Sequence, residues 1–236
     1  MKTHILQGQI VSWCRDTRKE SWRSREDFVI TRHSDGSRVL RAFCQLYEND
    51  IVRDVLTAVD EEMRPKDATI GVFAQGVRQG SAWYTFTDEM IHCESDTKEG
   101  RISQAEPWRG ATRGLGTHAL TSDAWLLARL EMSELAGRQT LEQFPIPSIH
   151  HLGATGPGLE FVSADVDYLG TEEVTVMAGA FSCHHFQFVA TSNDHPTYDV
   201  WLSADDDFLF VKGFVGGDWN VNFELRCLND LERPDS

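Results

Sequence analysis

The sequence is short of positive charge. Lys and Arg number 22 against 37 Asp and Glu, which gives a formal net charge of −15. Phosphate backbones are held by clustered Lys and Arg, so nucleic acid is not an expected partner. An anionic membrane surface is disfavoured for the same reason. Long hydrophobic runs are missing as well: none approaches the roughly 20 apolar residues of a membrane-spanning helix. The opening MKTHILQGQIVSW has neither the apolar core nor the small-residue cleavage pattern of a signal peptide, so the expected location is the cytoplasm. Cys14, Cys44, Cys93, Cys183 and Cys227 share no repeated spacing, which suits reduced thiols better than a disulfide framework.

The familiar chemical motifs are also absent. There is no G-x-G-x-x-G after a strand, Walker lysine, G-x-S-x-G elbow, C-x-x-C pair, H-E-x-x-H or EF-hand loop. Nucleotide, haem, iron–sulfur and zinc chemistry lose their usual support, so no cofactor and no metal is expected, and any activity should survive chelation. GATGPG at 153–158 lacks the Lys-Ser/Thr of a phosphate cradle and reads as a turn. Asp205-Asp206-Asp207 reads as a solvated hairpin tip, because hard-cation loops space their oxygen ligands along a wrapped backbone.

Apolar and aromatic residues, in contrast, are plentiful. They include 13 Phe, 7 Trp and 4 Tyr, enough for a large core and for an apolar cavity within it. At 236 residues, with no linker, repeat or low-complexity tract, the chain reads as one domain over 1–236. Strands are predicted at 26–32 and 38–47 around a Ser34-Asp35-Gly36 turn, then at 51–60, 67–75, 81–87, 90–95 and 100–104. A glycine-rich loop at 107–117 precedes TSDAWLLARLEMSELAG, which reads as a helix near 122–136. Thr121 or Ser122 would cap it, Asp123 would favour its positive end, and Gly137 would close it. Its apolar early turns predict burial against the sheet. After a loop at 145–158, strands return at 172–177, 181–190, 197–203, 207–215 and 218–228. The expected fold class is mainly β: a single-domain antiparallel β-barrel or strongly curved sheet, calycin-like, with one buried helix.

The candidate site residues are polar groups set in apolar strands. His184 and His185 in FSCHHFQF face opposite sides of their strand, so one imidazole should meet an interior cavity. His118, in GTHAL, leads into the buried helix. Arg41, Arg53, Asp54 and Asp60 interrupt the strands at 38–47 and 51–60; an Arg41–Asp54 pair across that hairpin and a polar outer face are both open. Trp83 and Tyr84 adjoin in one strand; Tyr198, Asp199, Trp201 and Lys212 follow in the last third. Each has a plainer reading as a satisfied core or snorkelling surface residue.

The segment AGAFSCHHFQF, followed by HPTYDVWLSADDDFLFVKG, resembles the C-terminal half of some uncharacterised bacterial β-sheet proteins over 178–228. The resemblance implies a barrel or half-barrel akin to lipid-carrier and calycin-type folds, and supplies no catalytic residue. Most proteins of this kind carry signal peptides and serve the envelope.

Two functions follow. The first is a cofactor-independent acid–base enzyme, a lyase or isomerase. It would act on a small hydrophobic catabolite, aromatic or isoprenoid-like, in a β-barrel cavity. His118, His185, Tyr84 and Asp54 would be its catalytic groups, and Arg41, His184, Trp83, Tyr198, Trp201 and Lys212 its substrate contacts. The second is a non-enzymatic carrier of a hydrophobic small molecule, which needs the cavity without converging titratable groups. Either way the expected partner is a small hydrophobic molecule, not nucleic acid or membrane, and a homodimer is left open.

Overall fold

The computed structural model describes residues 4–14, 22–110, 113–133, 136–191 and 195–231. Fourteen antiparallel strands form one continuous sheet that does not close. The first meander comprises β1 (His4–Cys14), β2 (Ser24–Arg32), β3 (Arg38–Leu46), β4 (Ile51–Val59), β5 (Pro65–Ala74), β6 (Val77–Phe86), β7 (Met90–Thr97) and β8 (Gly100–Pro107). The second comprises β9 (Arg138–Ile146), β10 (Glu160–Val176), β11 (Gly179–Phe188), β12 (Tyr198–Ser203), β13 (Phe210–Val215) and β14 (Val221–Asp230). They are sewn together at the sheet's middle, where β1 pairs with β14 from Leu6↔Asp230 to Cys14↔Val221, so the free edges are β8 and β9.

Alternation builds these strands. In β4, IVRDVLTAV, Ile51, Arg53, Val55, Thr57 and Val59 are buried while Asp54 is exposed, the period-2 pattern of a sheet with one packed face. Register shifts in β1/β14, β4/β5, β9/β10, β10/β11 and β12/β13 mark bulges, which add local bend and let so wide a sheet curl around its contents. The Ser34-Asp35-Gly36 turn forms as expected: Asp35 Oδ1 accepts from Ser37, and Gly36 takes φ +87°. β1, β9 and the first half of β10 are strands that the sequence pattern does not announce.

The helix is shorter than predicted. It runs Leu120–Leu127, not to 136, and residues 134–135 of the predicted span lie outside the described ones, as do 111–112 of the preceding loop. The side-chain amide of Gln139, at the start of β9, takes both backbone groups of Glu131: the N–H donates to Oε1 at 2.8 Å and the carbonyl accepts from Nε2 at 2.8 Å. Glu131 therefore cannot continue the helical ladder. Nor do Thr121 and Ser122 act as the expected caps. Glu26 reaches across from β2 to accept from Leu120 N (2.7 Å), Thr121 N (2.9 Å) and Thr121 Oγ1 (2.6 Å). A tertiary carboxylate thus satisfies the orphan donors and complements the helix dipole. The expected embedding against the sheet holds: Trp125, Leu126 and Leu127 are buried, each worth about 1.5–3 kcal/mol of transfer free energy.

The Asp205–Asp207 tip is only partly the solvated cluster expected: Asp205 and Asp206 are exposed. Asp207 is buried, and the tip docks on Arg32 and Arg38, with Asp207 O accepting from Trp125 Nε1 at 3.2 Å. This closes one end of the curl. On the far side, the edge strand β8 is tied to the chain leading into β10 through Gln104, whose Oε1 accepts from Leu159 N (2.9 Å) and whose Nε2 donates to Leu159 O (3.1 Å). Two partly buried hydrogen bonds are worth about 0.5–1.5 kcal/mol each. Gln104→Ala should lower the unfolding free energy by about 1–2 kcal/mol in urea titrations. An unchanged midpoint would mean that water replaces both bonds at no cost. No described helix is long and apolar enough to cross a membrane.

Candidate functional site

Between the concave face of the sheet, α1 (Leu120–Leu127) and the loop at 147–153 lies an open cavity of about 560 Å3. It sits at the end where β2, β4, β12 and β14 begin. Its walls are mostly apolar, with Leu127, Phe144, Phe188, Val200, Phe210 and Phe223 prominent; Ile149, His151, Leu152, His195 and Trp219 also contribute. The His151 ring meets Trp219 edge-on at 5.1 Å.

The cavity has polar lining as well, assembled from four elements around the start of α1. Arg53, from β4, is 2% exposed. Its Nη1 donates to His118 O and its Nη2 to Leu152 O, with a longer contact to Gly153 O at 3.4 Å. One side chain thus pins the segment leading into α1 to the 147–153 loop. Gly153 is required here: its φ is +57°, and a Cβ would lie 2.7 Å from Arg53 Nη2 and from the His118 ring. His118 itself sits at φ +61°, uncommon outside glycine, with its carbonyl held by Arg53.

The His118 Nε2 lies 2.9 Å from Ser148 O. A carbonyl can only accept, so Nε2 carries the proton and Nδ1 is the ring's remaining acceptor. Burial, aided by the Arg53 charge, lowers the pKa to about 4, so the ring is neutral at pH 7. Asp123 behaves oppositely. Burial, with Glu26 nearby, raises its pKa to about 7 against the opposing Thr117 N–H. Asp123 Oδ1 accepts from Thr117 N at 2.6 Å and lies 3.4 Å from Thr117 Oγ1, while Oδ2 makes no hydrogen bond among the described residues. Cys44 points its thiol at Glu26 Oε2 (3.5 Å), and burial followed by the Glu26 charge pushes its pKa up. Burial also raises the Tyr198 phenol, with Asp123 and Glu26 adding to the effect. Chemically this is one neutral imidazole, one carboxyl poised between its two forms, one phenol and one guanidinium whose Nη atoms are bonded to carbonyls while its buried Nε has no partner among the described residues.

Of the residues singled out from sequence, His118 and Tyr198 line this cavity together with Arg53; the remaining candidates do not. Tyr84 is fully buried beneath the chain leading into β10, donating to Gly158 O. Asp54 and Arg41 are exposed, and no ion pair joins them among the described residues. Trp83 is 52% exposed, with Nε1 donating to Asp67 at 2.6 Å. His184 shares a face with Phe186, and its Nδ1 lies 2.9 Å from Tyr168 Oη, away from the cavity. The shared border expected of His118 and the inward histidine is therefore not formed. His185 lies instead in a separate cluster with Asp199 (3.0 Å), Glu172 (3.2 Å) and Trp201, whose ring stacks on it at 4.1 Å and carries Lys212 Nζ at 4.7 Å.

The sequence alone does not single out Glu26, Asp123 and Cys44 as site groups, and it favours Asp54 over its neighbour Arg53 as a catalytic candidate. A signal exists for two of these. Glu26 has the parity of Phe28 and Ile30, and Arg53 that of Ile51 and Val55, so each is an ionisable residue in the buried register of its strand. Cys44 and Asp123 gain meaning only when β3 and α1 are brought to one place.

No family model matches the chain, and no curated protein matches it. Among solved structures it is similar to a β-barrel-like protein of the domain of unknown function DUF1849 from Brucella abortus. The TM-score is 0.54 at 9% identity, over 98% of each chain. It is also similar to a DUF1089 family protein from Pseudomonas aeruginosa, with TM-score 0.46 at 13% identity over 87% of this chain and 95% of the other. The first likeness concerns the fold, and it agrees with the resemblance to uncharacterised bacterial β-sheet proteins read from 178–228.

Proposed function

We propose that the chain binds a small hydrophobic molecule in the cavity between the curled sheet, α1 and the 147–153 loop. The observation that carries this reading is the cavity itself. Its volume of about 560 Å3 and mostly apolar lining match pockets of roughly 300–1,000 Å3 that enclose small ligands and place a few polar groups to orient them. Of the four groups named for acid–base chemistry, Tyr84, Asp54 and His185 stand elsewhere, and His118 is a weakened base with one nitrogen committed. A lyase or isomerase remains a second reading on one observation: Asp123, beside a phenol in an apolar cavity, has the raised pKa that a carboxylate needs to exchange protons near neutral pH.

Titration with N-phenyl-1-naphthylamine, a neutral probe that brightens in apolar sites, tests the reading. Saturable binding at one site per chain is expected. Ala164→Phe, which fills lining space on β10, should weaken it at least tenfold with an unchanged far-UV spectrum. Absence of saturable binding by the wild type, or full affinity in the filled variant, would defeat the proposal.

A further inference from the structure

If the cavity holds a hydrophobic molecule, its polar lining should select the head group. Three features bear on which head fits. First, the carboxylate at the site offers a free acceptor, beside the Tyr198 hydroxyl, which can donate or accept. Asp123 lines the cavity, and both of its contacts to Thr117 fall on Oδ1, leaving Oδ2 without a hydrogen bond among the described residues. Second, the strong donor nearby is largely committed: the Arg53 Nη atoms are directed at the carbonyls of His118, Leu152 and Gly153, and its Nε, unpaired among the described residues, is fully buried. Arg25, at the cavity lining, is paired with Asp27 at 2.6 Å. Third, the formal charges around α1's start are two carboxylates, Glu26 and Asp123, against one guanidinium, Arg53. Glu26 is occupied by the helix N–H groups and the Thr121 hydroxyl. An anionic head would enter a low-dielectric site with no free cation among these groups and one excess negative charge. A cationic donor would balance that charge and satisfy Oδ2 at once.

We infer that the cavity takes an amphiphile with a primary ammonium head on an apolar chain, the head bound by Asp123 and the chain lying along the aromatic and aliphatic wall. This rests on the reading of the cavity as a ligand site and narrows it: fatty acids are excluded and alcohols are second best. The groups packed around Asp123 are Glu26 from β2, Cys44 from β3, Arg53 from β4, Thr117 and His118 from the segment before α1, and Tyr198 from β12. Cys44 and Tyr198 are held in their neutral forms through pH 8, and His118 is neutral above about pH 4. Among these groups Asp123, its pKa raised to about 7, is the one that changes charge near pH 7; His151 and His195 also line the cavity and are common to wild type and Asp123→Asn, so comparing the two isolates the contribution of Asp123. An ammonium needs it ionised, so affinity for the amine should rise from pH 5.5 to pH 8. An alkylammonium itself stays charged there, its pKa lying near ~10 like that of lysine.

The experiment displaces N-phenyl-1-naphthylamine with decylamine, decanol and decanoate, using wild type and Asp123→Asn at pH 5.5 and pH 8. Asparagine keeps an oxygen for Thr117 N, and decanol binding reports that the cavity is intact. At pH 8 the amine should displace the probe from wild type at a concentration at least tenfold below that of the other two. That advantage should shrink at pH 5.5 and vanish in Asp123→Asn, where amine and alcohol become equal. Decanoate binding as tightly as the amine, an amine preference that survives Asp123→Asn, or no displacement by any of the three while the probe binds would overturn the inference and leave the cavity reading standing. Failure of the probe itself to bind would defeat the cavity reading instead.

Discussion

Arg53→Met is expected to lower the unfolding free energy by about 3–5 kcal/mol, the cost typical of removing a buried charged partner. Arg53 is 2% exposed and donates to the carbonyls of His118 and Leu152, with a longer contact to Gly153. Methionine keeps much of the apolar volume but offers no donor. The orphaned carbonyls would face an apolar interior at roughly 1–3 kcal/mol each. The variant should show a lower urea midpoint with an unchanged slope, and proteolysis should nick the 147–153 loop first, because that loop loses its tie to the segment before α1. A loss below about 1 kcal/mol would show that water replaces the guanidinium, and that the loop is held by something other than Arg53.

Asp123→Asn should change how stability depends on pH. The folded carboxyl has a pKa of about 7 against an ordinary 3.8. A raised folded pKa stabilises most below the unfolded value, and the contribution is lost as pH climbs through the folded one. Asp123 therefore becomes progressively costly from about pH 4 to pH 7, and asparagine does not. The variant's advantage over wild type should grow by on the order of 3 kcal/mol across that interval. This takes about 1.4 kcal/mol for each pH unit separating the folded from the unfolded pKa and allows for solvent in the open cavity. His118 runs the other way. Its folded pKa of about 4 lies below the ordinary 6.5, so its contribution is present above 6.5 and lost as pH falls toward 4. In wild type the two slopes oppose each other; in Asp123→Asn the histidine's is no longer opposed by Asp123, so stability should rise more steeply with pH over 4–6.5 than in wild type. Urea unfolding at pH 4.5, 6 and 7.5 reads this directly. Parallel curves for the two proteins would mean that Asp123 is already ionised in the fold at the lower pH.

The fold is more legible in the sequence than the site. The β2–β3 hairpin can be read because Asp35 and Gly36 write a turn between alternating strands. Alternation is a local signal, and an antiparallel meander is built from local signals. The helix extends too far in a sequence reading because LARLEM has good helical propensity, while the competing bonds come from Gln139, beyond the segment. β1 and the first half of β10 mix glycine and polar residues with apolar ones, which blurs a period of two; their pairing partners supply what propensity lacks. The site is obscure for a related reason. His118 and Tyr198 stand out because each interrupts an apolar run, but His185 and Tyr84 do so as well. Whether such a residue meets a cavity or a neighbouring carboxylate depends on strands far away in sequence. Tyr84 finds Gly158 O, and His185 finds Asp199 and Glu172.

The pairing of β1 with β14 has a consequence for how the chain is made. During synthesis β1 can align with β2 at once, but its other flank waits until the last described strand emerges. That flank belongs to a strand burying Ile10, Val11 and Trp13 in the finished fold. Until then the nascent first meander is a sheet with two open borders, one of them greasy and hydrogen-bond hungry, the kind of edge that recruits neighbouring chains. The pairing Leu6↔Asp230 and the bond from Leu231 N to Ile5 O are the final stitches. Crowded ribosomes and slow release would therefore favour misassembly, and a holdase covering β1 during translation would act at the step where this architecture is most exposed.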